Sequence, residues 1–513
     1  MAIHLQFRGQ RVIPHPAARE LPTPPGLAGE RPLASLSVSM NDQPLLETLV
    51  EDREAELLAA SPEYASTRAL DDLRATELAR LDRLGHVYLD YTGGGLYPES
   101  LVRRHGEMLL GGVLGNPHSS NPTSMATTRW VDACRRRVLD FFRAAPDEYE
   151  VIFTANASHA LKLVGESYPF SPGDEFLLTF DNHNSVNGIR EFDRARGART
   201  TYIPLTPPEM RVVGGDLDPF FARARPGGNN LFAFPAQSNF SGVQHPLTWI
   251  ETAQAQGWDV LLDAAAFVPT NRLDLSRWHP DYVALSFYKM FGYPTGVGAL
   301  IARKPALAKL HRPWFAGGTI AVASVQADRH TPAAGSAAFE DGTPNYLALP
   351  AVTLGLDLLE SVGMETIHCR VRCLTRWLLA RLEELRHGNG VPLVALYGPR
   401  TDAMRGGTLA LNFRDARGRL LDHQTVEQRA NRHRISLRTG CFCNPGAGEL
   451  ALGLTRSEIV TCFRQSAETM TYEDFRHCIH HEGTGAVRVS LGLASNFADV
   501  EAFLRFAEGF VEG

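Results

Sequence analysis

The 513 residues carry a formal charge of -6, with 44% hydrophobic and 21% charged side chains, the profile of an ordinary globular chain with material for a large core. A pI near 6.3 provides no basic surface for nucleic acid, and no stretch is long and apolar enough to predict a membrane span or a signal peptide. Seven cysteines in so long a chain fit reduced thiols and a cytoplasmic location better than a disulfide framework.

Residues 1–45 hold Pro14, Pro16, Pro22, Pro24, Pro25 and Pro32 and read as a poorly ordered extension. Residues 46–85 turn charged and helical in period, predicting amphipathic helices that pack on a small domain. His86 to Asp90 is a strand entering a turn at Gly93, Gly94 and Gly95. His118 lies in a Gly-Asn-Pro-His-Ser loop, where it reads equally as a turn residue or as one that reaches a site. Glu150 to Thr154 is a strand, and a helix opens behind it at Asn156-Ala157-Ser158-His159. Ser158 suits the N-cap, and the free amides of such a helix start attract phosphate, although a cap needs no ligand. Strands Phe176–Phe180, Leu231–Pro235 and Val260–Leu262 follow, and His183, Asn239 and Asp263 come just after them.

Val283 to Phe287 is a further buried strand. It is predicted to stop at Tyr288-Lys289, where Gly292, Pro294, Gly296 and Gly298 force a loop. A lysine at the mouth of a buried strand can be desolvated, which lowers its pKa and frees a nucleophilic amine able to form a Schiff base. Taken alone, it also reads as a surface residue. From about residue 350 long amphipathic helices appear, then strand-like Leu409–Phe413 and Ile435–Leu437. Arg438-Thr-Gly-Cys441-Phe-Cys443-Asn-Pro-Gly446 follows, and Arg488 comes late. A cysteine in such a loop is accessible and mobile, as a sulfur carrier must be. Cys441 and Cys443 also admit a redox pair, or half a zinc site completed by His477, Cys478, His480 and His481, though no clean ligand spacing exists.

The run S-F-Y-K-M-F-G-Y-P-T-G around Lys289 resembles the Schiff-base lysine segment of class V pyridoxal-phosphate enzymes. F-E-D-G-T-P-N at Phe339–Asn345 and R-T-G-C-F-C-N-P-G-A at Arg438–Ala447 share the resemblance, which covers roughly residues 85–510. Within that class the wording is similar to the cysteine desulfurase branch, nearest the pyridoxal-phosphate domain of molybdenum cofactor sulfurases. The resemblance implies an α/β fold of type I, with a large mixed-sheet domain at 86–348 and a small α+β domain at 349–513 that carries the cysteine loop. It implies pyridoxal 5'-phosphate held covalently by Lys289, with Asp263 on the ring nitrogen and His183 stacked on the ring and able to move protons. Ala157, Ser158 and Ser286 would lie at the phosphate and Asn239 near the ring oxygen. Thr319 would reach the neighbouring subunit's phosphate in a homodimer. Arg488, with Arg438 and His118 beside it, would bind the substrate carboxylate, and Cys443 would carry the persulfide. The implied activity converts L-cysteine to L-alanine and passes sulfur to the molybdenum cofactor or another acceptor, with no metal. A C–S lyase or epimerase on the same scaffold, and a non-catalytic scaffold, are the alternatives.

Overall fold

The computed structural model describes residues 43–212, 217–465 and 485–512, together with 470, 474, 478 and 479. The predicted N-terminal extension therefore lies, up to residue 42, outside the described residues. Two compact units divide at Ala55–Glu56. The helix Gln43–Ala60 runs from the first into the second, and everything below concerns the second.

Seven strands build the main sheet: β1 (Tyr149–Thr154), β2 (Glu175–Thr179), β3 (Arg199–Ile203), β4 (Asn230–Pro235), β5 (Trp258–Asp263), β6 (Tyr282–Ser286) and β7 (Gly298–Arg303). Their spatial order is β1-β7-β6-β5-β4-β2-β3. All run parallel except β7, which is antiparallel to both its neighbours. Because both faces are covered, the central strands are continuous apolar runs rather than alternating ones, and β4, β5 and β6 are buried at every residue. Helix α1 (Ala157–Ser167) contributes Leu161 and Val164 to the core they share with Phe176, Leu261 and Leu300.

Lys289 is not in an irregular loop, as its glycine-rich surroundings suggest. It sits on a single helical turn, α2 (Phe287–Phe291), that follows β6 without interruption. Gly292 ends the turn at φ +76°, a conformation that costs glycine little.

Beyond the sheet come α3 (Leu349–Val362) and α4 (Met364–Glu384), then a second, antiparallel sheet. Its strands are β8 (Val394–Tyr397), β9 (Thr408–Phe413), β10 (Arg438–Gly440) and β11 (Ala486–Ser490), in the order β8-β9-β11-β10. Helices α5 (Pro445–Ala451) and α6 (Phe497–Glu508) pack with this sheet, and His423–Arg432 and Arg456–Gln465 are helical as well. The segment 62–83 is clamped to this half by buried charge. Arg370, 1% exposed, donates to Thr67 Oγ1 at 2.6 Å and to both carboxylate oxygens of Asp71 at 2.7 Å. Arg74 meets Asp499 at 2.5 Å.

A two-residue strand, Val87–Tyr88, pairs in parallel with Ile435–Ser436, and Asp90 bridges to Ser490. This delivers Asp90 to the ends of β10 and β11. Among the described residues no helix is long and apolar enough to cross a membrane. The expectation that all cysteines are reduced thiols is corrected: Cys462 and Cys478 are joined as a disulfide, since their Cα atoms, 5.7 Å apart, lie within bridging range.

Candidate functional site

The parallel strands of the main sheet end at one edge, and their last residues converge there, as ligand-binding residues do in open α/β sheets. One cavity is lined by Asn156, Ala157 and Ser158 after β1, by His183 after β2, and by Gln237 and Asn239 after β4. Asp263 at the end of β5 and Ser286 and Lys289 at the end of β6 complete it.

The start of α1 is its anion-binding corner. The N-cap is Asn156, not Ser158: the Asn156 side chain accepts from the His159 amide at 3.0 Å. Ser158 instead lies one position inside the first turn, and its hydroxyl meets that of Ser185 at 2.6 Å. The Ala157 amide donates to Ser286 Oγ at 2.8 Å, which locks α1 to the end of β6. The Ser158 amide has no partner among the described residues, so it faces the cavity with the positive end of the helix behind it. The backbone passes this corner tightly. A Cβ on Gly298 would stand 2.6 Å from Asn156 backbone atoms, so only glycine fits there.

Lys289 lines the cavity, and its Nζ has no hydrogen bond or ion pair among the described residues. Burial pushes its pKa down; Asp263 opposes that, while Arg488 and Arg438 add repulsion. The amine is thereby biased toward its neutral, nucleophilic form. Asp263 is 8% exposed and uses Oδ1 to accept from the Ala265 amide at 3.0 Å. His183 caps the short helix Asn184–Asn187, its Nδ1 accepting from the Ser185 amide at 3.1 Å. That bond leaves the proton of the neutral ring on Nε2. Burial lowers the His183 pKa against the pull of Asp263, with Lys289 and Arg488 reinforcing the shift, so the ring is neutral near pH 7.

Arg488 and Arg438 converge on Asp90, at 2.9 and 2.6 Å. Asp90 thus occupies the guanidinium groups assigned above to a substrate carboxylate, a role that motif reading did not reveal. Arg488 also donates to the Asn239 carbonyl at 3.1 Å and stacks over the Phe442 ring at 4.9 Å. Its Nε is buried without a partner. Burial lowers the Arg488 pKa, whereas the Asp90 bond raises that of Arg438.

Cys441 and Cys443 are both exposed, but the loop between β10 and α5 is tethered rather than mobile. The Asn184 amide donates to the Cys443 carbonyl at 2.7 Å, and Asn239 Nδ2 donates to the Phe442 carbonyl at 2.8 Å. Asn444, fully buried, donates to the Asp181 carbonyl at 2.6 Å and to Asn239 Oδ1 at 2.9 Å. Phe442 and Cys443 both adopt positive φ, +55° and +56°, a conformation rare for side chains of this kind and maintained here by those bonds. Asn239, expected at a ring oxygen, therefore spends both ends of its amide on the cysteine loop. Asn184 and Asn444 were missed; the Asn444-Pro445 pair, an N-cap before a first-turn proline, was the signal for the latter.

Two predicted residues lie elsewhere in the single chain. His118 is exposed, at φ +76°, and does not line the cavity. Thr319 is turned onto Ala316, its hydroxyl donating to that carbonyl at 2.8 Å, beside the exposed hairpin Ile320–Pro332. Among the described residues no group of three His, Cys, Asp or Glu is placed to hold a metal ion; His477, His480 and His481 lie outside them.

Comparison with known proteins bears on this geometry. Residues 87–503 match the aminotransferase class-V family model. The chain is 39% identical over 460 residues to the molybdenum cofactor sulfurase of Bos taurus, covering 85% of this chain and 51% of that protein. It is 37% identical over 476 residues to that of Solanum lycopersicum, covering 86% and 57%. The chain thus spans little more than half the length of these relatives. Among solved structures, a cysteine desulfurase from Thermococcus onnurineus superposes with a TM-score of 0.72 at 24% identity, covering 86% of this chain and 98% of that one. The cystine C–S lyase C-DES, solved with its product cysteine persulfide, superposes with a TM-score of 0.63 at 19% identity, covering 83% and 98%. At such identities these two speak for the fold alone. With the family model matched across both sheets and the cavity between their ends, the chain belongs to the class-V aminotransferase family.

Proposed function

We propose that the chain is a pyridoxal 5'-phosphate-dependent cysteine desulfurase that loads sulfur onto Cys443 and hands it to the molybdenum cofactor or another acceptor. The observation that carries this reading is a single cavity. In it a partnerless, desolvated Lys289 amine, Asp263 and neutral His183 face the free amide of Ser158, while Asn239 ties the adjoining cysteine loop to the same wall. The residues fit the cofactor: Lys289 would hold its carbonyl carbon, Asp263 its ring nitrogen, His183 its ring face, and Ala157, Ser158 and Ser286 its phosphate. When bound, the cofactor supplies an electron sink for bonds at an amino acid's α-carbon.

The chain's own side chains do the rest. Arg488, with Arg438 beside it, orients the substrate carboxylate by a bidentate grip in exchange for Asp90. Lys289 Nζ, biased toward the neutral form, takes the α-proton. Cys443 as thiolate attacks the substrate sulfur: an S–S bond forms, the C–S bond breaks with its electron pair going to the carbon skeleton, and that skeleton leaves as L-alanine once the β-carbon has gained a proton and Lys289 has returned its proton to the α-carbon. His183, carrying its proton on Nε2, is placed to donate it. The sulfurase likeness of the relatives and the two exposed cysteines support the assignment.

The reading includes a homodimer. Thr319 itself is buried, bonded to Ala316, but the segment around it exposes Trp314, Phe315, Val322 and Val325, an apolar surface that suits contact with a neighbouring subunit. Purified protein supplied with pyridoxal phosphate, L-cysteine and a thiol reductant is expected to yield alanine and sulfide in equal amounts. Cys443→Ala is expected to abolish the persulfide while retaining the cofactor's absorbance. Pyruvate and ammonia as products, or undiminished sulfur transfer by Cys443→Ala, would overturn it.

A further inference from the structure

A groove on the far side of α5 plays no part in the chemistry above. Its floor is β8, the edge strand of the small sheet, and its walls come from the end of α4, the end of α5 and the turn carrying Pro207, Pro208 and Met210, which closes the groove at the Gly398 end of the strand. The register shows which backbone groups are open. The Arg414 amide donates to the Leu393 carbonyl at 2.7 Å, so the pairs Ala395–Asn412 and Tyr397–Ala410 turn their hydrogen bonds inward. In an antiparallel ladder the alternate residues, Val394, Leu396 and Gly398, then point outward. The Gly398 amide is already taken by the Pro208 carbonyl at 2.8 Å. The N–H and C=O groups of Val394 and Leu396 have no partner among the described residues. All four β8 residues are half-buried, so the edge is recessed rather than covered.

The charge around it is predominantly positive. Arg386, Arg400 and Arg414 line the groove against a single acid, Glu383. Glu383 pairs with Arg400 at 3.3 Å. Arg386 has no ion-pair partner among the described residues, and Arg414 bonds only a carbonyl, that of Gly418, at 3.4 Å. Two open cations beside two open strand positions suit an extended acidic segment, with main-chain bonds supplying affinity and the arginines supplying sign.

We propose that β8 is the docking edge for an extended acidic peptide segment of the protein that receives sulfur, added as a fifth strand of the small sheet. The assignment of that partner rests on the desulfurase reading. The position supports it: α5 runs directly from Asn444, next to Cys443, to Leu450 and Ala451 in the groove wall, a span of about 10 Å at the helical rise. A partner seated here brings its remaining surface within reach of the exposed thiol.

The test uses the full chain and a short fluorescein-labelled peptide of alternating valine and glutamate, with the valine–lysine peptide as counterpart. Fluorescence anisotropy is expected to show saturable binding of the acidic peptide alone, weakened roughly tenfold or more by Arg386→Glu. Amide exchange in residues 393–398 is expected to slow when the acidic peptide is added. Equal binding of both peptides, no binding of either, or unchanged exchange at 393–398 would overturn the proposal. Alanine formation from L-cysteine is measured in parallel and is expected to be the same for Arg386→Glu and the parent. If neither forms alanine while the acidic peptide binds and protects β8, the groove stands and the desulfurase reading falls.

Discussion

Replacing Asn444 by alanine tests whether the cysteine loop is held by its buried amide bonds. Three are lost: the donations to the Asp181 carbonyl at 2.6 Å and Asn239 Oδ1 at 2.9 Å, and the cap accepted from the Ala447 amide at 3.2 Å. A lost N-cap costs about 1 kcal/mol, and each of the two buried oxygens left unpaired costs at least about 1 kcal/mol. The local sum is about 3 kcal/mol, which corresponds to an opening equilibrium on the order of 100-fold more favourable. The readout is amide exchange by mass spectrometry. The Asn184 amide is protected by the Cys443 carbonyl and the Asn444 amide by the Cys441 carbonyl, so peptides covering 182–187 and 440–448 are expected to exchange faster by that order. Asn444→Asp, which keeps the cap oxygen and loses both donors, is expected to fall between the two. Unchanged exchange in both peptides of Asn444→Ala would refute the tether and return the loop to the mobile segment its composition suggested.

Gly446→Ala is expected to lower the melting temperature and loosen the same peptides, because its Cβ would stand 2.0 Å from the Phe180 carbonyl oxygen. Gly448→Ala, whose nearest neighbour is the Cys441 Cβ at 3.3 Å, is expected to be the milder change, and an equal loss from both would sink the argument. Asp90→Ala strands the buried Arg488 guanidinium and is expected to cost about 3 kcal/mol in denaturant unfolding. Arg438→Ala, which removes the partner that is 51% exposed, is expected to cost less than about 1 kcal/mol; the reverse ranking would show that Asp90 is not the hub. In the cofactor-free protein the folded pKa of Lys289 lies below its ordinary 10.5. Between those two values the unfolded chain binds more protons, so stability rises with pH across that window. Lys289→Met is expected to remove that rise, and a stability difference between parent and variant that stays constant up to pH 10.5 would contradict a desolvated amine.

Much of this architecture was legible in local patterns. The apolar runs ending in Asp263 and preceding Lys289 mark buried parallel strands whichever way the chain is later packed, and the motifs around Lys289 and Cys443 name the chemistry because it needs those residue types at those strand ends. Local signals misled where two candidates competed for one task. Ser158 has good capping chemistry, yet Asn156 takes the cap because the last extended residue before the helix lies two positions earlier. Lys289 stands among glycines, yet one helical turn forms before Gly292 can end it.

What no local pattern could supply is the set of long-range pairings. Asp90 reaches Arg488 across 398 residues, and Asn444 reaches Asp181 across 263. These contacts depend on how the ends of the two sheets are set against each other, and the chain's period carries no trace of that. The sequence by itself determined the strands, the reactive lysine and the exposed thiols, because each follows from neighbours a few positions away. Only the tertiary structure decided that Arg488 and Arg438 already hold a carboxylate and that the loop carrying Cys441 and Cys443 is tethered, because burial and charge pairing are properties of the packed chain.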